Sequence, residues 1–307
     1  MKNVIIGIDV GGTNIKIGLV SQDGRVISRT FLNTKSFIRD KNFLINALIK
    51  KIEDLIFESR LTRKRILGIG MGLPGLIDAA KGFVHFLPNI PGWRDVPLKK
   101  LIEQKLNIPA FLDNDVNIIA LAEWKFGAGR GCNDLICITL GTGVGGGLIL
   151  NGSLYRGKQF AAGEIGHMPL NEIGPSCNCG GRGCFERCVG NSHILAKAGK
   201  IFHKKDIQLE EIFRLASQGN QKAISFWNEV AAHIGNGLVG VVNLLNPQLI
   251  IVGGGVSNNF RFLYKTINAV IKKRAMKVQA AAVKVVRAQL GDDAGIIGGQ
   301  VLVKEYR

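Results

Sequence analysis

Four residues that bind metals fall close together in this chain: His167, Cys177, Cys179 and Cys184. The spacing H-x9-C-x-C-x4-C offers one nitrogen and three sulfurs, a set that closes around a tetrahedral structural zinc. It is neither the C-x2–4-C-x12-H-x3–5-H finger of a DNA reader nor the C-x2-C pattern of a zinc knuckle. Gly180, Gly181 and Gly183 allow the tight loop that brings the thiolates together. Glu164 stands three residues before the first ligand and Glu186 two after the last, so a metal here would also pin two carboxylates. No secretory signal opens the sequence, so metal or free thiols are expected rather than disulfides, and a cytoplasmic location. Cys188 reads as a helical thiol, and Cys132 and Cys137 as turn or strand residues.

A second group carries carboxylates. "FLDNDVN" places Asp113 and Asp115 at the end of a strand, just before a helix. Either would serve as a base beside an attacking hydroxyl in phosphoryl transfer. Either is equally at home as an acid stabilised by a helix N-terminus. Three glycine loops follow apolar runs: "DVGGTN" at 9–14, "LGTGVGGG" at 140–147 and "VGGGVS" at 252–257. Bare backbone N–H groups and a threonine hydroxyl suit phosphate. None of the three matches the P-loop or the dinucleotide fingerprint. Asp9, at a strand end, suits a hydrated Mg²⁺ that also contacts phosphate.

The elements that must hold these groups alternate between strand and helix. "VIIGIDVGG", "NIKIGLV" and "VISRTF" read as strands joined by glycine turns. Residues 40–60 read as a helix with Phe43, Leu44, Leu48, Ile52 and Leu55 on its apolar face. "ILGIGMGLPG" is a strand, "VPLKKLIEQKLN" a helix, "IPAFLDND" a strand and "VNIIALAEWKFG" a helix. The strand, glycine hairpin, strand order returns at an offset of 130 residues, laying 9–13 over 139–143. A long helix over 223–247, a strand into the triple glycine, a helix, a strand and a terminal helix complete an α/β chain. Its 307 residues suffice for two domains, and its 40 glycines cluster in turns. Residues 135–155 carry no charge, but six glycines divide them into two buried strands rather than a membrane span. The net charge of +17 is spread over helical faces and is concentrated on no DNA-reading element; such a field favours anionic substrates. With a first strand starting at residue 4, no helix-turn-helix module is expected before it, and no nucleic-acid or membrane partner.

With these motifs in order, the chain resembles the ROK family of sugar kinases and repressors. The matching stretches include "IGIDVGGTNIKIG", "GLPGLID", "LPNIPGW", "LDNDVNIIALAEWKFGAGRG", "ITLGTGVGGGLILNG", "GEIGHM", "CNCGGRGCFE", "IIVGGGVS" and "LGDDAGIIGG". Within the family it is most similar to bacterial ATP-dependent glucokinases. The resemblance implies an actin/hexokinase-type, ribonuclease H-like duplicated fold, with two lobes around a nucleotide and sugar cleft. Residues 1–116 plus about 292–307 would form the smaller lobe and 117–291 the larger one with the metal loop. It implies ATP-dependent phosphorylation of a hexose, glucose first, with Asp115 as general base and Asn114 on the sugar. Asp113 stands where the family commonly has glutamate and takes no catalytic role. Gly75, Asn89, Glu164, His167 and Glu186 would complete the sugar site. Gly11, Gly12, Thr13, Thr142, Gly143, Gly253, Gly254 and Gly255 would meet ATP, with Asp9 on Mg²⁺ and Lys16 near phosphate. His167, Cys177, Cys179 and Cys184 would hold structural Zn²⁺, with His167 turning its second ring nitrogen to the sugar. A homodimer or homotetramer is implied. Lys158 and Phe160, and "CFERCVG", depart from the glucokinase pattern beside the sugar loop. Another hexose (N-acylmannosamine, N-acetylglucosamine, fructose or allose) and a sugar-responsive regulator are the alternatives.

Overall fold

A computed structural model of the chain describes residues 3–37, 41–87 and 92–307. Asn89 lies outside the described residues. The first half contains β1 (Val4–Val10), β2 (Asn14–Ser21), β3 (Val26–Asn33), α1 (Lys41–Glu58), β4 (Ile66–Leu73), β5 (Leu76–Asp78), β6 (Phe83–Phe86), β7 (Arg94–Val96), α2 (Leu98–Leu106) and β8 (Ala110–Asn114). Next come α3 (Asp115–Phe126), β9 (Leu135–Leu140), β10 (Val144–Leu150) and β11 (Ser153–Tyr155). The chain continues through α4 (Glu186–Val189), α5 (Asn191–Phe202), α6 (Leu209–Ser217) and α7 (Gln221–Leu245). It ends with β12 (Leu249–Gly253), α8 (Phe260–Arg274), α9 (Lys277–Ala282), β13 (Lys284–Arg287) and α10 (Ala294–Glu305).

Two five-stranded sheets share one plan. The first runs β3-β2-β1-β4-β8 and the second β11-β10-β9-β12-β13. In each, three antiparallel strands are extended by two parallel ones. The offset repeat in the sequence is therefore a repeat of topology, with the hairpins β1–β2 and β9–β10 equivalent. A small third sheet, β5-β6-β7, follows β4. Its strands span three or four residues, too few to show an alternating pattern.

Two helices join the halves. α10 packs on β1, β4 and α3, and α3 packs in turn on β9 and β10. Glycine makes this stack possible. A Cβ on Gly70 would overlap the carbonyl of Gly299, and one on Gly298 would overlap the carbonyl of Ile118. The backbones touch directly, as they do again where a Cβ on Gly7 would overlap the carbonyl of Ile296. Ile118 and Leu121 of α3, Leu135 and Cys137 of β9, and Val301 and Leu302 of α10 form a core between the sheets. Larger cores flank it on either side, one around β1, β4 and α1 and one around α7, β9 and β12. On α1 the buried stripe is Leu44, Ile45, Leu48, Ile49, Ile52, Leu55 and Ile56. Phe43, expected on that face, is 58% exposed, because the buried stripe runs through 44–45, 48–49, 52 and 55–56 and Phe43 lies to one side of it. Among the described residues no helix is long and apolar enough to cross a membrane.

Candidate active site

The site is built at the corner where β8 becomes α3. Asn114 caps the helix: its side-chain oxygen accepts from the N–H of Val116 at 2.9 Å and of Asn117 at 3.4 Å. Its amide Nδ2 donates to the carbonyl of Gly75 at 3.3 Å, where the chain turns with φ of 95°. Asp115 opens the helix, and its Oδ1 accepts from the N–H of Val116 at 2.9 Å. Burial first, then the charge of Asp9, pushes the Asp115 carboxyl up to about 7. Backbone hydrogen bonds oppose the rise and Glu164 adds to it. Asp9 ends near the first turn of α10, where a Cβ on Gly295 would lie 2.5 Å from its carboxyl carbon. Its carboxyl is also raised, by burial foremost, with Lys16 opposing and Asp292 adding. Lys16 pairs with Asp9 across the hairpin and donates to the carbonyl and carboxylate of Asp292, each at 3.2 Å.

Asp113 belongs to the interior. Its side chain is 2% exposed and accepts from Arg156 Nε at 2.6 Å and Asn117 Nδ2 at 2.8 Å.

The metal-ligand set is assembled. One donor atom from each of His167, Cys177, Cys179 and Cys184 lies within 4.8 Å of every other. Cys179 Sγ and Cys184 Sγ are 3.6 Å apart, and Cys177 Sγ lies 3.7 Å from His167 Nδ1. Zinc–sulfur bonds of about 2.3 Å at tetrahedral angles give sulfurs about 3.8 Å apart, so the donor set fits. The loop is folded on itself: Cys177 N–H donates to Gly181 O at 2.8 Å, and Leu170 N–H to Gly183 O at 2.8 Å. His167 turns Nε2 the other way, 3.9 Å from a carboxylate oxygen of Glu164. The Glu164 side chain is 61% exposed. Glu186, at the start of α4, accepts from the Val144 N–H at 2.9 Å, immediately after Gly143. The metal loop is thereby tied to the second glycine hairpin.

Of the glycine loops, the first leaves Gly12 and Thr13 exposed, while the buried Thr34 hydroxyl anchors Gly11 by donating to its carbonyl at 2.8 Å. In the second, Thr142 is exposed and Gly141 N–H donates to Gly143 O at 2.9 Å. The third packs against it, since Gly254, with φ of 82°, leaves no room for a Cβ beside Leu140. Gly253 is buried at the end of β12, and Gly255 is exposed.

Three side chains here had no assigned part in the motifs. Asn191 ties its N–H to Gly141 O at 2.9 Å, and its Oδ1 is shielded without a hydrogen-bond partner. Glu123 is fully buried and accepts from the N–H of Ala128, Gln289 and Leu290 at 2.8–2.9 Å. A lone acid within the apolar run "IIALAEW" was its signal. Arg156 has no such signal, because its partner is distant in sequence.

The arrangement of a duplicated sheet, two glycine hairpins and a capped aspartate can be set beside known proteins. A profile of the ROK family matches residues 5–306. The chain belongs to the ROK family. The glucokinase of Halalkalibacterium halodurans is 36% identical, over 98% of this chain and 94% of that protein. The xylose repressor of Caldicellulosiruptor bescii is 33% identical, over 96% of this chain and 76% of the repressor. The crystal structure of a ROK family glucokinase from Streptomyces griseus in complex with glucose and AMPPNP matches with a TM-score of 0.83 at 31% identity, over 99% of this chain and all of that one. The two-sheet α/β architecture of this ROK protein is accordingly the actin/hexokinase-like fold.

Proposed function

We propose that this ROK protein is an ATP-dependent sugar kinase that transfers the γ-phosphoryl group to a hexose, glucose first. The observation that carries the reading is Asp115: a carboxylate at a helix start, held beside Asn114, with its pKa raised to about 7. A base of that strength is half ionised at neutral pH and takes a hydroxyl proton as the hydroxyl attacks phosphorus. Asn114, Glu164, His167, Glu186 and the turn at Gly75 are read as the sugar site. Asn114 is fixed by its helix cap and by Gly75, and Glu186 by Val144. Glu164 remains exposed, with His167 Nε2 beside it.

Gly11, Gly12, Thr13, Thr142, Gly143 and Gly253–Gly255 are read as the ATP site. Asp9 suits Mg²⁺, because burial and Asp292 disfavour its carboxylate, Lys16 offsets them only in part, and a divalent cation would relieve the rest. Bound Mg²⁺ would neutralise phosphate charge. The donor set at His167, Cys177, Cys179 and Cys184 suits a structural Zn²⁺, which would fix the loop carrying Glu164 and Glu186. We read residues 1–116 plus about 292–307 as one lobe and 117–291 as the other, with α3 and α10 stacked between the sheets. A homodimer or homotetramer is the expected assembly, and size-exclusion chromatography with light scattering tests it.

The relative named glucokinase supports glucose as the first substrate. Phe160, held at φ of 58° in the segment leading to Glu164, departs from the glucokinase pattern and keeps other hexoses in the test. An ADP-release assay over a hexose panel, with ATP and polyphosphate as donors, decides. Hexose-dependent ADP release is expected, and none with any hexose overturns the reading. The repressor relative favours one rival, a sugar-responsive regulator. That protein would bind sugar without turnover.

A further inference from the structure

Arg156 belongs to none of the motifs, yet it is bound to the residue next to the proposed active site. The Asp113 and Arg156 side chains are 2% and 17% exposed. A charge so deeply shielded persists only when paired and hydrogen-bonded. Asp113 meets that need completely: Oδ2 accepts from Arg156 Nε at 2.6 Å, and Oδ1 from Asn117 Nδ2 and Asn114 N–H, each at 2.8 Å. The guanidinium is held in turn. Its Nη2 is shielded without a hydrogen bond and lies 3.8 Å from a Glu305 carboxylate oxygen, and its carbon sits 5.6 Å over the ring of Tyr306, which stacks on Phe111 of β8 at 5.4 Å.

The connections on either side of this pair matter most. Asp113 runs directly into Asn114 and Asp115. Arg156 follows β11 and opens the segment that leads to Glu164 and His167. That segment folds back at once, with Ala162 N–H donating to Arg156 O at 3.0 Å, so Gly163 and Glu164 leave from beside Arg156. One buried ion pair therefore links the strand that ends at Asn114, just before Asp115, to the loop that carries Glu164. The first lies on the edge of one sheet and the second just beyond the edge of the other.

We propose that Arg156 and Asp113 are positioning residues, which fix Asn114–Asp115 against Glu164–His167 and so set the width of the hexose site. This inference rests on the sugar-kinase reading. Neither side chain touches the substrate. Their effect on hexose passes through the two segments they hold, and the glycine loops read as the ATP site are not among their partners.

Arg156→Met alone would strand the buried carboxylate of Asp113 and could unfold the chain. The variant to measure is therefore the double substitution Asp113→Asn with Arg156→Met, which removes both charges of the buried pair and leaves the Glu305 carboxylate, 27% exposed, to Lys125. It is expected to melt cooperatively and to keep its KM for ATP within about twofold, while kcat/KM for the hexose falls by about 10²-fold, the effect of misplacing reacting groups by an ångström. Arg156→Lys keeps the charge without the planar fork or the stacking on Tyr306, and should recover only part of the loss. Unchanged hexose kinetics in the folded double variant overturn the inference, as does an equal rise in both KM values. If the double variant does not fold, Arg156→Lys decides, and wild-type hexose kinetics there overturn it as well. A wild-type protein that phosphorylates no hexose instead overturns the kinase reading, so the two failures are told apart.

Discussion

Asp115 is held under tension between stability and chemistry. Its folded pKa of about 7 lies above the ordinary carboxylate value of 3.8, because burial and the charge of Asp9 disfavour the anion. The folded state therefore binds more protons than the unfolded state between those values. Stability contributed by this group is full below pH 3.8 and is lost as pH rises through about 7. Asp115→Asn should accordingly fold and melt higher than wild type at pH 8, by on the order of 1 kcal/mol, with the gain shrinking towards pH 4. The same variant should lose about 10²–10⁴-fold in kcat, the usual contribution of a general base. Near-normal turnover would remove Asp115 from the mechanism. In the wild type, log kcat/KM should fall with unit slope below pH of about 7. A flat profile down to pH 5 would show that some other group takes the proton.

At the scale of elements, the metal loop supports more than itself. The residues read as its ligands are flanked by the two acids read as sugar contacts: Glu164 before His167, and Glu186 after Cys184, hydrogen-bonded to Val144 at the end of the second glycine hairpin. Cys184→Ser should lose bound zinc, measured by metal analysis, and raise the hexose KM by about 10-fold or more, as losses around a metal shell do. A zinc-free variant with wild-type hexose affinity would uncouple the loop from the site. The helix stack makes a sharper packing prediction. Gly298→Ala puts a methyl group into the carbonyl of Ile118 and should cost about 1–3 kcal/mol or more in denaturant unfolding. Gly240→Ala, on the exposed face of α7 with nothing within 4 Å, should instead stabilise by up to about 1 kcal/mol. Equal effects at the two positions would refute the close-contact account.

At the scale of the whole molecule, duplication organises the fold. Each half supplies a sheet with the same strand order and a glycine hairpin at the equivalent turn. The helix that begins with Asp115 and the helix that begins beside Asp9 lie against one another between the sheets. Glu123 strengthens the joint, since its buried carboxylate on α3 caps the Gln289–Leu290 turn that leads into α10. The proposed base, the proposed Mg²⁺ ligand and the inter-sheet core are thus parts of one stack. The +17 charge has no such focus: its basic pairs and runs, such as Lys50-Lys51, 62–65 and 272–274, are scattered along the chain.

Much of this was determined by local sequence. Apolar runs ending in glycine gave the strands, "LDND" gave the strand-to-helix corner, and H-x9-C-x-C-x4-C gave a donor set that the loop does assemble. These features depend on neighbours a few residues apart, where propensity and spacing act. The tertiary structure alone decided what depends on distant partners. Asp113 and Asp115 are two residues apart and look alike in sequence. One faces inward to Arg156, 43 positions away, and the other is left beside Asp9 and Glu164. The glycines of α10 read as small residues until Gly70 and Ile118 are set against them. Residues two apart in a strand share one face, so β8 alone would turn both acids the same way; the chain passes into α3 at Asp115 and parts them, and the arginine that meets Asp113 comes from a distant segment.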